Sequence, residues 1–113
     1  MRDGKWGDQQ VVPSGWFTQA AIPGSLNPAY GFLWWLHTEK PFKPAVGGTS
    51  KAAFFPDAPD DTFAALGLGG QMVVVIPSQK LVISRMAAED QSDPVGGSFG
   101  QELPARVVSA VTD

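Results

Sequence analysis

The stretch that decides the fold is residues 62–86, TFAALGLGGQMVVVIPSQKLVISRM. Two apolar runs lie at its centre, Met72–Ile76 and residues 81–83, and the polar residues 77–80 join them. Valine and isoleucine dominate both runs, and such β-branched side chains fit a pleated sheet better than a helix. The sequence therefore predicts a β-hairpin with a short polar loop. Because the first run is apolar without alternation, it predicts a strand buried on both faces.

The length and composition of the chain predict one globular domain spanning residues 1–113. A hydrophobic content of 43% is enough for a folded core and argues against disorder. The formal net charge of -3 offers no basic face, so no nucleic-acid partner is expected. The chain has no cysteine, which excludes disulfides, thiolate metal sites and a cysteine nucleophile.

The sequence predicts neither a membrane-spanning helix nor a signal peptide. No apolar run approaches the ~20 residues that a membrane-spanning helix needs, so no membrane association is expected. Residues 1–10 lack the apolar core of a signal peptide. The localisation is therefore left open, with the cytoplasm as the default.

The N-terminal half predicts little regular structure. Residues 1–12 are polar and predict a loop held in place by packing of Trp6. Residues 14–22 predict a helix of about two turns with Ser14 as its N-cap, ended by a Pro-Gly pair. Residues 30–37, YGFLWWLH, predict a strand because aromatic side chains favour sheets and the run is short.

The remaining segments complete an α+β prediction. Residues 38–61 are rich in proline and glycine and predict a long loop anchored by Phe54 and Phe55. Residues 101–111 predict a C-terminal helix with an apolar stripe, in which Pro104 falls in the first turn. The expected fold is an antiparallel sheet of about three strands, with a short N-terminal helix and a C-terminal helix packed on it.

Side chains with obvious reactivity are few. His37 is the only histidine, and beside two tryptophans it is better explained as a strand-end residue than as a base or metal ligand. The aspartates of residues 57–61 lack the spacing of a calcium loop and are interpreted as a solvated acidic loop. The triplet at residues 25–27 matches a Ser-x-Asn pattern, which we attribute to chance. No metal and no cofactor is expected.

The glycine segment at residues 67–71, GLGGQ, carries the sharper hypothesis. Glycines remove the Cβ atoms that would hold a ligand away from the backbone, so such a segment can form an active-site wall. It can also be an ordinary bulge. The sequence pattern by itself leaves both interpretations open.

The succession of three segments resembles a known family. YGFLWW at residues 30–35, FAALGLGGQ at 63–71 and MVVVIPSQKLVISRM at 72–86 resemble the C-terminal part of serine β-lactamase-like hydrolases. That superfamily includes class C β-lactamases, penicillin-binding D-alanyl-D-alanine peptidases, family VIII esterases and aminohexanoate-dimer hydrolases. The opening residues 1–17 also look like the family's segment just upstream, so the resemblance covers essentially the whole chain.

The resemblance implies a role for the glycine segment. Leu68, Gly69 and Gly70 would occupy the positions of the family's third active-site motif, Lys-Thr-Gly or a variant of it. The backbone N–H of Gln71 would then point into the oxyanion hole, which stabilises the tetrahedral intermediate of acyl transfer. The same resemblance implies an open pocket for a small ester or amide, walled by Leu68, Gly69 and Gly70 together with the aromatic side chains of Trp34 and Trp35.

Two departures from the family pattern limit this implication. Leu68 stands where the family has a lysine, which removes the cation that would recognise a substrate carboxylate. No serine or threonine is followed three residues later by lysine, so the Ser-x-x-Lys nucleophile motif is absent. The chain alone is therefore expected to be inactive. It is expected to associate with a second copy of itself or with a complementary N-terminal hydrolase segment.

Two alternatives stay open at this point. One is a non-catalytic self-associating or small-ligand-binding α+β module that keeps only the fold of the segment. The other is an unrelated α+β protein with an aromatic cleft formed by Trp34, Trp35, Phe54 and Phe55. For those four residues, a place in the buried core is the preferred interpretation.

Overall fold

The computed structural model describes residues 3–45, 47–86 and 98–112. Within these residues the regular elements follow in chain order. They are the strands Lys5–Trp6 (β1) and Gln9–Gln10 (β2), the helix Trp16–Ala20 (α1), the strands Trp35–Leu36 (β3), Phe63–Leu66 (β4), Met72–Ile76 (β5) and Leu81–Arg85 (β6), and the helix Ser98–Thr112 (α2).

The main sheet has four strands in the order β3-β4-β5-β6, and every neighbouring pair is antiparallel. The strands β1 and β2 form a separate two-stranded ribbon. This mixture of sheet and helix confirms the predicted α+β class. The predicted hairpin is confirmed as β5 and β6, joined by a 3-10 turn at Pro77–Gln79. The sheet has one strand more than expected because residues 63–66 pair fully with β5.

The inner face of the sheet carries the hydrophobic core. Cross-strand pairing aligns Ala64, Val74 and Ile83 in one row, and Ala64 and Val74 are completely buried. Phe54 and Phe55 belong to the same cluster, which confirms that they anchor the long loop. Burial of these apolar groups is the main term that stabilises the domain.

The outer face is only partly covered. Val73 and Val82 are 38% and 62% exposed, so the expectation that β5 is buried on both faces is wrong. The N-terminal ribbon and Phe17 of α1 reach only part of this face. They leave an apolar cleft of about 350 Å³ beside Val75 and Val82. In the described part of the chain, the continuous apolar run of β5 therefore forms a strand whose second face is only partly covered.

The aromatic run forms a tight reversal rather than the predicted strand. Only Trp35–Leu36 is extended. The N–H of Gly31 donates to the carbonyl of Trp34 at 2.9 Å, and Tyr30 pairs with Trp35 across the turn. Leu33 takes a positive φ of 64° and is 82% exposed. Turn hydrogen bonds therefore override the β-propensity of the aromatic side chains.

The predictions for the N-terminal residues need correction. The expected loop contains the β1-β2 ribbon, and Trp6 is 78% exposed instead of packed. Helix α1 has five residues, and its N-cap is Gly15, which makes no side-chain cap bond. The predicted cap, Ser14, donates its hydroxyl to the Asp3 carboxylate instead. This bond and a second one from the Gly15 N–H, at 2.8 Å, lower the pKa of Asp3 below its usual value of 3.8.

Helix α2 closes the inner face. Leu103 and Val108 of this helix pack against the core cluster, as the predicted apolar stripe requires. The helix begins at Ser98, before the predicted boundary, so Pro104 lies inside the helix and beyond its first turn. Pro104 is fully buried there. Val111, the last position of the predicted stripe, is 61% exposed and lies past the edge of the core.

Candidate functional site

The glycine segment forms a compact turn between β4 and β5. Leu68–Gly70 is a 3-10 turn in which Gly69 and Gly70 have φ values of +73° and +76°. Those conformations are open to glycine at little steric cost. The N–H of Gly67 donates to the carbonyl of Gln71 at 2.8 Å, which closes the base of the turn. The two interpretations from the sequence, an active-site wall and an ordinary bulge, both need a backbone that is not shielded by side chains. The glycines of this turn provide such a backbone.

Arg85 fills the space that the glycines leave open. Its Nη1 donates to the carbonyl of Gly70 at 2.6 Å, and its guanidinium carbon lies 5.3 Å from the ring centre of Phe99. A Cβ atom at Gly70 would lie 2.3 Å from this Nη1. The arginine thereby connects β6, the glycine turn and α2 through one charge-assisted hydrogen bond and one cation–π contact.

The residues expected around the oxyanion hole have different environments. Leu68 is 76% exposed, whereas Gly69 and Gly70 are buried. Gln71 is half-buried and extended, with φ −66° and ψ 133°, and its carbonyl is occupied by the Gly67 N–H. The role of the Gln71 N–H in acyl transfer stays a prediction.

The two tryptophans expected to wall the pocket lie on opposite faces of the sheet. Trp34 packs edge-on against Phe63, with ring centres 5.0 Å apart. Trp35 packs on the inner face, with its ring 4.9 Å from Tyr30 and 5.2 Å from Phe54. Consecutive residues of an extended chain point to opposite sides. Trp34 and Trp35 therefore contribute to two different surfaces and do not form a shared aromatic cleft.

The structure brings together a second group of polar residues that the sequence analysis treated separately. His37 directly follows β3, and its side chain is only 6% exposed. Its Nε2 lies 3.4 Å from Oε1 of Glu39 and 3.8 Å from Oδ1 of Asp60. The backbone N–H of His37 donates to the carbonyl of Thr62 at 2.9 Å, so these two residues are cross-strand neighbours.

This group surrounds a cavity of about 250 Å³. The cavity is lined by Ala21, Pro23, Leu36, His37, Asp60, Asp61, Thr62, Phe63 and Pro77. Two residues of this lining each have one fully buried side-chain atom without a hydrogen-bond partner, His37 Nδ1 and Thr62 Oγ1. Each unpaired buried polar atom lowers the stability of the fold by about 1–3 kcal/mol, so two such atoms on neighbouring residues are unusual. The pairing of residues far apart in sequence creates this site, and no local motif signals it.

The other polar residues singled out in the sequence have structural roles. Asp61 accepts hydrogen bonds from the Ser78 N–H at 2.6 Å and the Ser78 hydroxyl at 2.8 Å, which attaches the β5-β6 turn to the long loop. Asn27 donates its side-chain amide to the carbonyl of Lys43 at 2.7 Å. Among the described residues, no group of three histidine or acidic side chains could hold a metal ion.

Comparison with known proteins yields no match: no family model, curated protein or solved structure is significantly similar to this chain. In the described part of the chain, no helix has both the length and the apolar character needed to span a membrane. The class that the fold itself defines is α+β, a four-stranded antiparallel sheet with a helix on its inner face.

Proposed function

We propose that this chain is the sheet segment of a β-lactamase-like serine hydrolase, inactive alone and completed by a second polypeptide surface. In this proposal the glycine turn at residues 67–71 forms part of the wall of a pocket for a small ester or amide. The substrate undergoes acyl transfer once a nucleophile is supplied. The observation that carries the proposal is the order strand, glycine turn, strand, proline turn, strand, helix, which the family resemblance implies.

The edge of β6 that has no partner strand among the described residues supports the requirement for completion. β6 pairs with β5 along one edge, and in the described residues no strand covers its other edge. Edge strands are commonly protected by a charged side chain directed outward. The one charged residue of β6, Arg85, is turned back toward Gly70 of its own chain. Within the described residues, this edge and the neighbouring exposed Val82 form a surface that favours pairing with another strand.

The same edge favours the second candidate function, a self-associating module without catalysis. A two-fold axis beside β6 would pair two copies of this strand antiparallel. The two four-stranded sheets would then join into one sheet of eight strands. The two candidates agree on association and differ on whether the glycine turn contacts a substrate.

Light scattering combined with an ester assay tests completion. We expect a dimer or larger assembly and no turnover of 4-nitrophenyl acetate, because the nucleophile motif is absent. A monodisperse monomer of 12.0 kDa would contradict the proposal that another surface completes the sheet. Ester turnover that is lost on replacing one of the chain's own serines would contradict its inactivity.

Amide NMR separates the hydrolase segment from the plain module. We expect 4-nitroacetanilide, the amide analogue of that ester, to shift the backbone resonances of Gly69, Gly70 and Gln71. Gly48 lies in an exposed loop and serves as the internal control. If the three turn resonances do not move at saturating analogue while the chain is associated, the module without a substrate is the correct function.

A further inference from the structure

We propose that the cleft between the end of α1 and the aromatic turn binds a small uncharged aromatic molecule with a hydrogen-bonding group. This α1 cleft is lined by residues 19, 22–27 and 30–32. Its volume is about 570 Å³, within the ~300–1,000 Å³ that is usual for small-molecule sites. No residue of the glycine turn lines it, so the proposal does not depend on the function proposed above.

The loop at residues 24–30, which forms one part of the wall, is held in place by hydrogen bonds. The N–H of Gly24 donates to the carbonyl of Tyr30 at 2.8 Å, and the N–H of Tyr30 donates to the carbonyl of Asn27 at 3.1 Å. The Asn27 side chain donates to the carbonyl of Lys43 at 2.7 Å and accepts from the Lys43 N–H at 3.2 Å. A wall fixed in this way loses little conformational freedom when a ligand binds.

The aromatic part of the wall is fixed as well. The N–H of Phe32 donates to the carbonyl of Ala20 at 3.0 Å, which attaches the turn to the end of α1. The ring of Tyr30 packs edge-on against Trp35, with ring centres 4.9 Å apart. The walls of the α1 cleft are therefore in position without a ligand, which is the usual state of a small-molecule site.

Large apolar side chains remain exposed on these fixed walls. Ile22, Leu26 and Phe32 all line the cleft and all expose more than half of their surface. Together with the Tyr30 ring they offer apolar and aromatic surface, on which a planar ring packs well. A ligand that covers them removes apolar surface from water, which favours binding.

The lining also sets the charge of the ligand. None of its described residues is charged. A charged ligand would lose hydration without gaining an opposite charge, so an uncharged one is favoured. The carboxamide of Gln19 and the hydroxyl of Ser25 can each donate and accept a hydrogen bond. They suit a ligand that carries a polar N–H, O–H or carbonyl group beside its ring.

Amide NMR of the full chain with indole, an uncharged ring with one N–H donor, tests the proposal. We expect saturable shifts of the Gly24 and Gly31 amides, which line the cleft, and none at Gly48, which lies in an exposed loop. Tryptamine and indole-3-acetate carry a charge on the same ring and should bind at least about tenfold more weakly. 1-Methylindole lacks the N–H donor and should also bind more weakly.

Variants establish that the shifts come from this cleft. Leu26→Ala and Phe32→Ala each remove an apolar contact and should weaken indole binding about fivefold. Leu33→Ala is the matched control: Leu33 directly follows Phe32 and is 82% exposed, close to the 88% of Leu26, but does not line the cleft. Its affinity for indole should be unchanged. Because Leu26 and Leu33 are both exposed, neither substitution is expected to unfold the chain.

Three results would overturn the proposal. The first is the absence of saturable shifts at Gly24 and Gly31, or shifts of the same size at Gly48, which would mean non-specific contact. The second is equal binding of either charged analogue, which would mean that the uncharged lining does not select the ligand. The third is an equal affinity in Leu26→Ala and Leu33→Ala, which would place indole outside the α1 cleft.

Discussion

Gly31 shows how a single residue decides whether two segments can pack. A Cβ atom at this position would lie 2.2 Å from the carbonyl oxygen of Ala20, which is backbone and cannot rotate away. The same carbonyl accepts a hydrogen bond from the Phe32 N–H at 3.0 Å. The absence of a side chain therefore lets the aromatic turn lie against the end of α1.

Gly31→Ala is expected to lower the free energy of unfolding by about 1–3 kcal/mol, the usual cost of forcing extra atoms into a packed contact. Urea denaturation provides the measurement. Gly48→Ala is the control, because a Cβ there meets nothing within 4 Å, and its effect should stay within about 0.5 kcal/mol. Equal effects of the two substitutions would disprove the packing explanation.

Asp3 gives the N-terminal ribbon a dependence on pH. The Ser14 hydroxyl and then the Gly15 N–H lower its pKa in the folded state, relative to the usual 3.8. A lowered pKa means that the carboxylate stabilises the contact above 3.8 and that this contribution disappears as the pH falls through the lower, folded-state value.

The Gly15 amide resonance should report this titration, since that amide donates to Asp3 Oδ1. On acidification we expect it to shift at a pH below 3.8 in the native sequence and to show no such step in Asp3→Asn. Asp8→Asn, in the turn of the same ribbon, should leave the step in place. A step that persists in Asp3→Asn would refute the assignment.

Among the elements, α2 supplies the cover of the inner sheet face. Its contact runs through Leu103 and Val108, which pack on the core cluster. Arg106 and Glu102 form an ion pair on this helix, with 2.7 Å between their charged atoms. Both side chains are exposed, so the pair contributes little to the stability of the fold. Apolar packing, together with the cation–π contact between Arg85 and Phe99, therefore holds this helix in place.

Leu103→Ala should lower the free energy of unfolding by about 2 kcal/mol, because it removes apolar contacts and leaves a cavity beside the sheet. Val111→Ala, at an exposed position of the same helix, should cost less than about 0.5 kcal/mol. Chemical denaturation of both variants compares the two positions. If they are equally destabilising, α2 does not pack through the inner stripe.

At the scale of the whole molecule, the parts of the sheet that the described residues leave uncovered are the features that bear on association. The outer face exposes Val73 and Val82, and β6 has one edge without a partner in the described part of the chain. Val82 lies on β6 itself, beside this edge. A strand added at this edge would cover the backbone groups and bring further apolar surface over Val82.

Val82→Lys is expected to shift the assembly toward monomer, because it places a charge where the second surface would pack. Ile22→Lys is the matched control: Ile22 is 59% exposed, close to the 62% of Val82, but lies after α1 and outside the sheet. Light scattering over a range of concentrations gives the mass of each. Association that survives Val82→Lys and is lost in Ile22→Lys would place the interface elsewhere.

The sequence by itself determined the elements whose local pattern and tertiary environment agree. Apolar side chains that had to be buried explain three of these elements. They are the β5-β6 hairpin, the C-terminal helix and the long loop that Phe54 and Phe55 anchor. The α+β class follows from the same segments. These features depend on periodicity and turn chemistry, which are properties of neighbouring residues.

Only the tertiary structure decided the rest. The position of the aromatic run depends on the carbonyl of Ala20, which accepts a hydrogen bond from the Phe32 N–H at 3.0 Å and lies too close to Gly31 for a side chain. The filling of the glycine turn depends on Arg85, and the polar cavity depends on His37 meeting Thr62 across two strands. Such contacts join residues distant in the chain, and the free energy that selects them exists only once the sheet brings them together.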